Sequence, residues 1–432
     1  MLAHVGARHA WPLHVVLLLA QADELALKSR RATELMAAGR YGEAIPLYTE
    51  LIRAVPNNPG LILNLGLAQQ MAGRPRESIP QFEAAVKLQP DLYPAWFSLG
   101  TAYLDLGEPA RASAPLEKAA ALEPRDPRAI LALGRCYEAL AQRAFERLDK
   151  LGQGSAWWLA LAAETRLSQQ QYASAFGLYR EALAKMPALP GAHAALAEIY
   201  RKTGHPDWAA IEEKKEPGRK AARAGQPPTP ESYYWQSRAY SALAAQTFAR
   251  LAQLPPSVEL HQFRAQLARS RRRYPEAAAE LREALKLAPG DRQLRTELAA
   301  ALHQARDHQG AQAILAELLK ADPQAAQLNF MYGDTLLRQE QPEKAIPFLE
   351  KAVRLTGAQA SLGLAYMRTG QPERAIPHLK AALETDTDGS LHYQLARACQ
   401  MTGQPEAAAP LLKKYQEIQR RAEPAEAQIT PP

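Results

Sequence analysis

The sequence predicts an all-α fold: an α-solenoid of about ten stacked antiparallel helix hairpins, in which two helices run longer than the rest. Three observations carry the prediction. First, Pro59–Leu92 lies over Tyr93–Asp126 without a gap at a period of 34 residues, so Leu65-Gly66 falls on Leu99-Gly100, Gly73-Arg74-Pro75 on Gly107-Glu108-Pro109, and Pro90 on Pro124. Self-similarity at a fixed period of this length marks an array of one supersecondary unit. Second, Trp96, Leu99 and Tyr103 recur at three- and four-residue spacing, which is the apolar stripe of a helix. Third, alanine and leucine dominate, aromatics make up 7%, and no segment alternates apolar and polar residues with period two.

The unit explains itself residue by residue. Gly107 can take the left-handed conformation that ends a helix, and Pro109 suits the first turn of the next. Gly100 and Ala112 are small where two antiparallel helices must approach closely. Pro124 stops the second helix and turns the chain into the following unit. One hairpin cannot bury its own apolar face, so stability must come from stacking on neighbours.

The pattern Trp96-x-x-Leu99-Gly100-x-x-Tyr103, then Ala112-x-x-x-Leu116, then Pro124, resembles the tetratricopeptide repeat, with Leu116 where the family usually carries an aromatic. The resemblance covers roughly residues 25–420. It implies a right-handed superhelix whose concave groove is lined by the first helix of each hairpin, and it implies binding of partner segments rather than chemistry.

In chain order, residues 1–22 read as a secretory signal: Arg8 precedes an apolar run from Trp11 to Ala20, and Ala20-Gln21-Ala22 offers a small-residue cleavage pattern before Asp23. Export to the periplasm or the exterior follows if it is cleaved, leaving no transmembrane anchor; an uncleaved helix in a cytoplasmic protein is the alternative. A first array spans 23–212. Its first unit, about Leu25–Asn58, is clearest in its second helix, at Tyr41, Ala44, Tyr48 and Leu51. The fourth unit opens with Leu133-Gly134-x-x-Tyr137 and then departs, because no Gly or Pro interrupts Arg128–Leu151. One helix over 128–151, about 35 Å long, is expected there. Regular units resume at Ala156–Leu189 and again from Pro190.

Residues 213–230 form a basic, proline-rich linker holding Lys214, Lys215, Arg219, Lys220 and Arg223. A second array spans 231–420. Arg238-x-Tyr240, Phe248 and Leu251 echo Arg135-x-Tyr137, Phe145 and Leu148 at a spacing of 103 residues, as if a block containing the long helix had been duplicated. Later second helices carry Ala311, Ala345, Ala375 and Ala408. The spacing from Ala345 to Ala375 is only 30, which predicts an inter-repeat turn cut down around Thr356-Gly357. Pro46, Pro80, Pro347, Pro377 and Pro410 are expected in first turns, where proline costs least. Residues 421–432 read as a disordered tail.

Little in the chain points to catalysis. No His-Glu-x-x-His, Cys-x-x-Cys, phosphate-cradling glycine loop or Gly-x-Ser-x-Gly occurs, so no catalytic group, cofactor or metal is expected. His303 and His308 flank a helix end as turn residues, a metal pair being the sharper alternative. Cys136 and Cys399 sit in distant units and read as small buried helix residues. The net charge of +7 is modest for 432 residues. Without aromatics interleaved among the basic residues, nucleic acid is not the expected partner.

What remains is the groove. In the first array it is expected to present Leu63, Asn64, Leu67, Phe97, Thr101, Leu104, Leu131 and Arg135, an apolar trough suited to an amphipathic helix or extended apolar segment. In the second it is expected to present Phe330, Met331, Asp334, Arg338, Leu364, Met367, Arg368, Tyr393, Arg397 and Met401. There arginines alternate with aromatic and methionine positions, which suits a peptide with acidic and apolar residues. Part of each set could instead be inter-repeat core, Phe97 and Phe330 above all. The family's two-carboxylate clamp is not matched: Asn64 fits, but Ser29 and Thr33 stand where its Lys and Asn are expected. The leading expectation is a non-enzymatic scaffold for segments of other proteins, of undetermined oligomeric state. The alternatives are a recruiting or regulatory subunit of a separately encoded enzyme, and an anionic-polymer or membrane-surface binder acting through the basic linker.

Overall fold

The structure, a computed structural model, describes residues 13–216, 229–422 and 429–432. Among them are twenty-two α-helices, one 3-10 turn at Leu383–Thr385, and no strand. The helices are α1 Leu13–Ala37, α2 Tyr41–Ala54, α3 Pro59–Met71, α4 Pro75–Leu88, α5 Tyr93–Asp105, α6 Pro109–Leu122 and α7 Pro127–Gly152. Then come α8 Ala156–Ser168, α9 Tyr172–Lys185, α10 Ala192–Lys202, α11 Pro206–Glu213 and α12 Pro230–Ala252. The rest are α13 Val258–Ser270, α14 Tyr274–Leu287, α15 Arg292–Gln304, α16 His308–Ala321, α17 Ala326–Arg338, α18 Pro342–Lys351, α19 Thr356–Arg368, α20 Pro372–Ala382, α21 Ser390–Met401 and α22 Pro405–Ala422. Contacts gather them into two compact units, one holding α1–α7 and α12, the other α8–α11 and α13–α22.

In the first unit α1/α2, α3/α4 and α5/α6 are hairpins. In α3/α4 and α5/α6 a glycine of the first helix meets a bulky side chain of the second. A Cβ on Gly66 would stand 2.6 Å from the Phe82 ring, and one on Gly100 would stand 2.5 Å from Leu116 Cγ. Gly107 ends α5 at φ +67°, and Pro109 opens α6, as the sequence requires.

α7 breaks the local rule. Its equivalent glycine, Gly134, abuts Phe248 of α12, more than a hundred residues further on. Along the same seam Tyr137 stacks on Tyr240 with centroids 6.5 Å apart. The Ser237 hydroxyl donates to the Ala141 carbonyl (3.1 Å), and the Arg147 guanidinium lies over Tyr233 at 5.8 Å. Numbers rise along α7 as they fall along α12, so α7 and α12 run antiparallel through this seam, from Gly134 to Arg147. The sequence expectation that α12 opens a new unit is corrected: it closes the hairpin that α7 begins. The reason is length. The apolar face of α7 continues through Leu140, Ala144 and Leu148, all buried, further than a fourteen-residue second helix can cover.

In the second unit the hairpins are α8/α9, α10/α11 and then α13/α14 through α21/α22. The shortened repeat is built differently from the expectation. Four residues connect α18 to α19, as they do α16 to α17, but α18 has 10 residues where α16 has 14. The deletion removes one helical turn, which keeps the apolar face in phase at 3.6 residues per turn. The in-helix prolines are also displaced from the expected first turn. Pro46, Pro80, Pro347, Pro377 and Pro410 are each the sixth residue of their helix, on exposed faces where water can reach the carbonyl that the missing N–H leaves unbonded.

Repeats are also clasped by polar contacts. Tyr103 Oη donates to Glu83 of the preceding hairpin (2.7 Å) and accepts from Arg111 of its own (2.8 Å). Tyr366 does the same with Glu350 (2.7 Å) and Arg374. Burial, then the Glu350 contact, pushes the Tyr366 hydroxyl up to about 12. Cys136 and Cys399 are buried and unbridged, and burial pushes the Cys136 thiol up to about 12.

Residues 1–12 of the expected signal lie outside the described residues, and its remainder runs into α1. Of the expected linker, 217–228 lie outside them too, as do 423–428 of the tail. Residues 421–422 finish α22, and Thr430 is held against α10.

Candidate protein-binding surfaces

The sequence-derived residues of the second unit fall into two groups. Asp334 is only 6% exposed and is the hub of the first group. Its carboxylate accepts from Arg338 Nε (2.7 Å), Ser361 Oγ (2.6 Å) and His303 Nε2 (3.1 Å), tying α15, α17 and α19 together. Burial raises the pKa of that carboxyl, but the bonds from His303, Ser361 and Arg338 outweigh it and hold Asp334 well below the usual carboxylate range. His303 Nδ1 lies 2.9 Å from Thr335 Oγ1, and His308 is pulled down by burial and by His303. Arg368 Nη1 donates to the Leu337 carbonyl (2.8 Å), a second strut between α19 and α17. Phe330 packs against the cores on both sides of it, Met331 is buried, and Leu364 and Met367 are half-buried against the core of α17–α22.

The second group stands on α21. Tyr393, Arg397 and Met401 are spaced by four residues on one face. Tyr393 is 41% exposed and Met401 56%, and among the described residues Arg397 hydrogen-bonds to Gln394 of its own helix, at 3.5 Å. Tyr393 leans on Tyr415 of α22 with ring centroids 5.4 Å apart.

In the first unit, Asn64, Leu67, Phe97, Thr101 and Leu104 are half-buried on α3 and α5, Leu63 and Leu131 are buried, and Arg135 is exposed on α7. Gln70 ties part of this set together, donating to Thr101 Oγ1 (3.3 Å) and Asp105 Oδ2 (2.9 Å). Phe97 is covered from within: Tyr93 stacks on it at 6.0 Å, and the Arg128 guanidinium lies over its ring at 5.8 Å.

Sequence reasoning missed an aromatic cluster on α9–α11. Phe176 and Trp208 pack on Tyr200 with centroids 5.8 and 5.6 Å away, and Trp208 lies flat on His205 at 4.0 Å. The signal was present in Tyr200 and Trp208, eight residues apart across a Gly204 turn. It reads as ordinary hairpin packing until the Tyr200 hydroxyl is seen to donate to Thr430. Among the described residues no group of histidine, cysteine and carboxylate side chains could hold a metal ion, and no helix is long and apolar enough to cross a membrane.

Stacked hairpins with glycine-to-bulky close approaches, carrying exposed side chains on their first helices, define the helical-repeat class of interaction scaffolds. Profiles described as tetratricopeptide repeat match residues 35–99, 94–136, 264–315, 296–360 and 361–425, together more than half of the chain. The chain belongs to the tetratricopeptide-repeat family. Solved structures similar to it include "MamA 41-end from Desulfovibrio magneticus RS-1", 25% identical over 39% of this chain and 97% of that one, with a TM-score of 0.35. Another is YrrB, titled a TPR protein with an unusual peptide-binding site (24%, 37% and 84%, TM-score 0.31). Yeast Tom70 is similar over 95% of this chain and 94% of its own at 15% identity, with a TM-score of 0.33. No curated protein matches the chain.

Proposed function

We propose that this protein is a non-enzymatic scaffold that holds peptide segments of partner proteins on its first-helix surfaces, and that it does so after export, in the periplasm or outside the cell. The observation that carries the binding surface is the stripe on α21. A large apolar ring and a thioether are left exposed beside a guanidinium, with no intramolecular ion pair among the described residues to occupy it. Thioether and aromatic faces adapt to apolar side chains, and a guanidinium grips a carboxylate through two parallel bonds. A segment carrying both kinds of residue fits. The non-enzymatic part is supported by how the buried carboxylates are used: Asp334 and Glu212 are taken up by neighbouring side chains of the same unit. Export is supported by the apolar run Trp11–Ala20 and the small residues after it.

Arg338 and Arg368 are structural struts, so charge reversal there would test folding as much as binding. The informative variant is Tyr393→Ala with Arg397→Glu and Met401→Ala, checked for helicity by circular dichroism. Crosslinking capture in the native host is expected to return a small partner set with the wild-type chain and to lose it with the variant. Retention of the same partners by a folded variant removes this surface from the proposal. Amino-terminal sequencing of the protein from the host is expected to begin at Asp23; an intact Met1 on a cytosolic protein rejects the export reading.

A further inference from the structure

The aromatic cluster on α10 and α11 holds a piece of peptide. Tyr200 Oη donates to the backbone carbonyl of Thr430 at 2.8 Å, across 230 residues of sequence. The Tyr200 ring is fully buried, backed by Phe176 and Trp208. Ile429 and Pro432 are themselves half-buried, although they follow a charged, alanine-rich stretch with no apolar pattern of its own. Burial, and then the nearby Glu212 carboxylate, raises the pKa of the Tyr200 hydroxyl, so it stays protonated and able to donate.

We propose that this shelf is a binding site for short, uncharged, proline-containing peptide segments, and that residues 429–432 occupy it as an intramolecular competitor of such segments. The chemistry of the docked residues carries the class of ligand. A proline has no N–H, so docking a segment that ends in Pro431-Pro432 buries no unmet donor at either proline, and the hydroxyl of Tyr200 satisfies the one carbonyl it faces. Two fixed φ angles, and a residue before proline held extended, leave little backbone entropy to lose on docking. Aromatic-lined surfaces recognise proline-rich segments for these reasons. Only six residues separate Ala422 from Ile429, so the tether keeps the tail at an effective concentration of order millimolar, which a partner segment must overcome. No residue of the α21 stripe takes part, so this site stands or falls separately from the one proposed above.

The test uses a fluorescently labelled peptide, Ala-Gln-Ile-Thr-Pro-Pro, matching residues 427–432, titrated by anisotropy against the full-length chain. The comparison chain carries Ile429→Asp and Pro432→Asp, which place charge where the tail is half-buried. The peptide is expected to bind the comparison chain saturably and the wild-type chain at least tenfold more weakly. Adding Tyr200→Phe to the comparison chain keeps the ring, loses the donor, and should weaken the peptide about fivefold. A peptide carrying the same two aspartates, titrated against the comparison chain, serves as a second readout, and it should not bind. Equal affinity for the wild-type and comparison chains, no saturable binding to the comparison chain, or undiminished binding of the aspartate peptide would each overturn the proposal.

Discussion

Asp334 shows how one residue can look like a ligand contact in sequence and act as a joint in the structure. It sits in a helix-period pattern beside arginines, but it is buried and joined to His303, Arg338 and Ser361 on three helices. Replacing it with alanine strands those donors and should cost about 3 kcal/mol in urea unfolding, whereas a loss below about 0.5 kcal/mol would mean that the contacts are incidental. Its pH signature follows from the direction of the shift. The folded-state pKa lies below the unfolded one, so the stabilisation is complete above the unfolded value and is lost as pH falls. The melting temperature should therefore hold down to about pH 5 and drop below about pH 4, and Asp334→Asn should flatten that drop. An unchanged acid limb in the variant would assign the loss to other carboxylates. Tyr366→Phe is a smaller case: it removes the two hydroxyl bonds, to Glu350 and from Arg374, leaves the direct Arg374–Glu350 bond, and should cost about 1 kcal/mol in the same assay.

At the scale of elements, the lesson is how a helix finds its partner. In ordinary hairpins the bulky side chain meeting the glycine comes from the next helix, sixteen residues on, as Phe82 does for Gly66 and Leu116 for Gly100. Gly134 takes its partner from α12 instead. Gly134→Ala puts a methyl group into the Phe248 ring and should destabilise by about 1–3 kcal/mol, while Phe248→Ala alone should cost about 3 kcal/mol. The double variant should lose clearly less than the sum, because the smaller ring-less side chain makes room for the methyl group. Strict additivity would show that the two helices are not in register. The shortened α18 makes the complementary point. A repeat can lose four residues without losing its packing because one turn of helix leaves the buried stripe in phase.

At the scale of the molecule, each hairpin within a unit touches its neighbours in the stack, so damage should spread by nearest-neighbour steps. In the second unit, Leu379→Ala opens a cavity against Gly363. Hydrogen exchange should report lost protection in α19–α22 and little change in α13 and α14. Uniform loss across the unit would instead mark it as a single cooperative block.

The sequence alone determined the hairpin. Helix period, the glycine that accepts φ +67° at position 107, and proline at the first turn of α6 are local constraints, legible in any one copy and reinforced by repetition. It also determined which faces are apolar, and hence the near-complete list of helices. The surfaces were legible only in part. A first-helix residue such as Phe97, Phe330 or Asp334 shows the same spacing whether it meets solvent or the adjoining repeat, and only the stack separates those positions from Tyr393 and Met401 on α21. Tertiary structure alone decided that α12 completes the hairpin of α7, because that choice depends on matching the lengths of two apolar faces far apart in the chain. It also decided that Thr430 lies against Tyr200, since a four-residue segment without periodicity carries no local signal of where it docks.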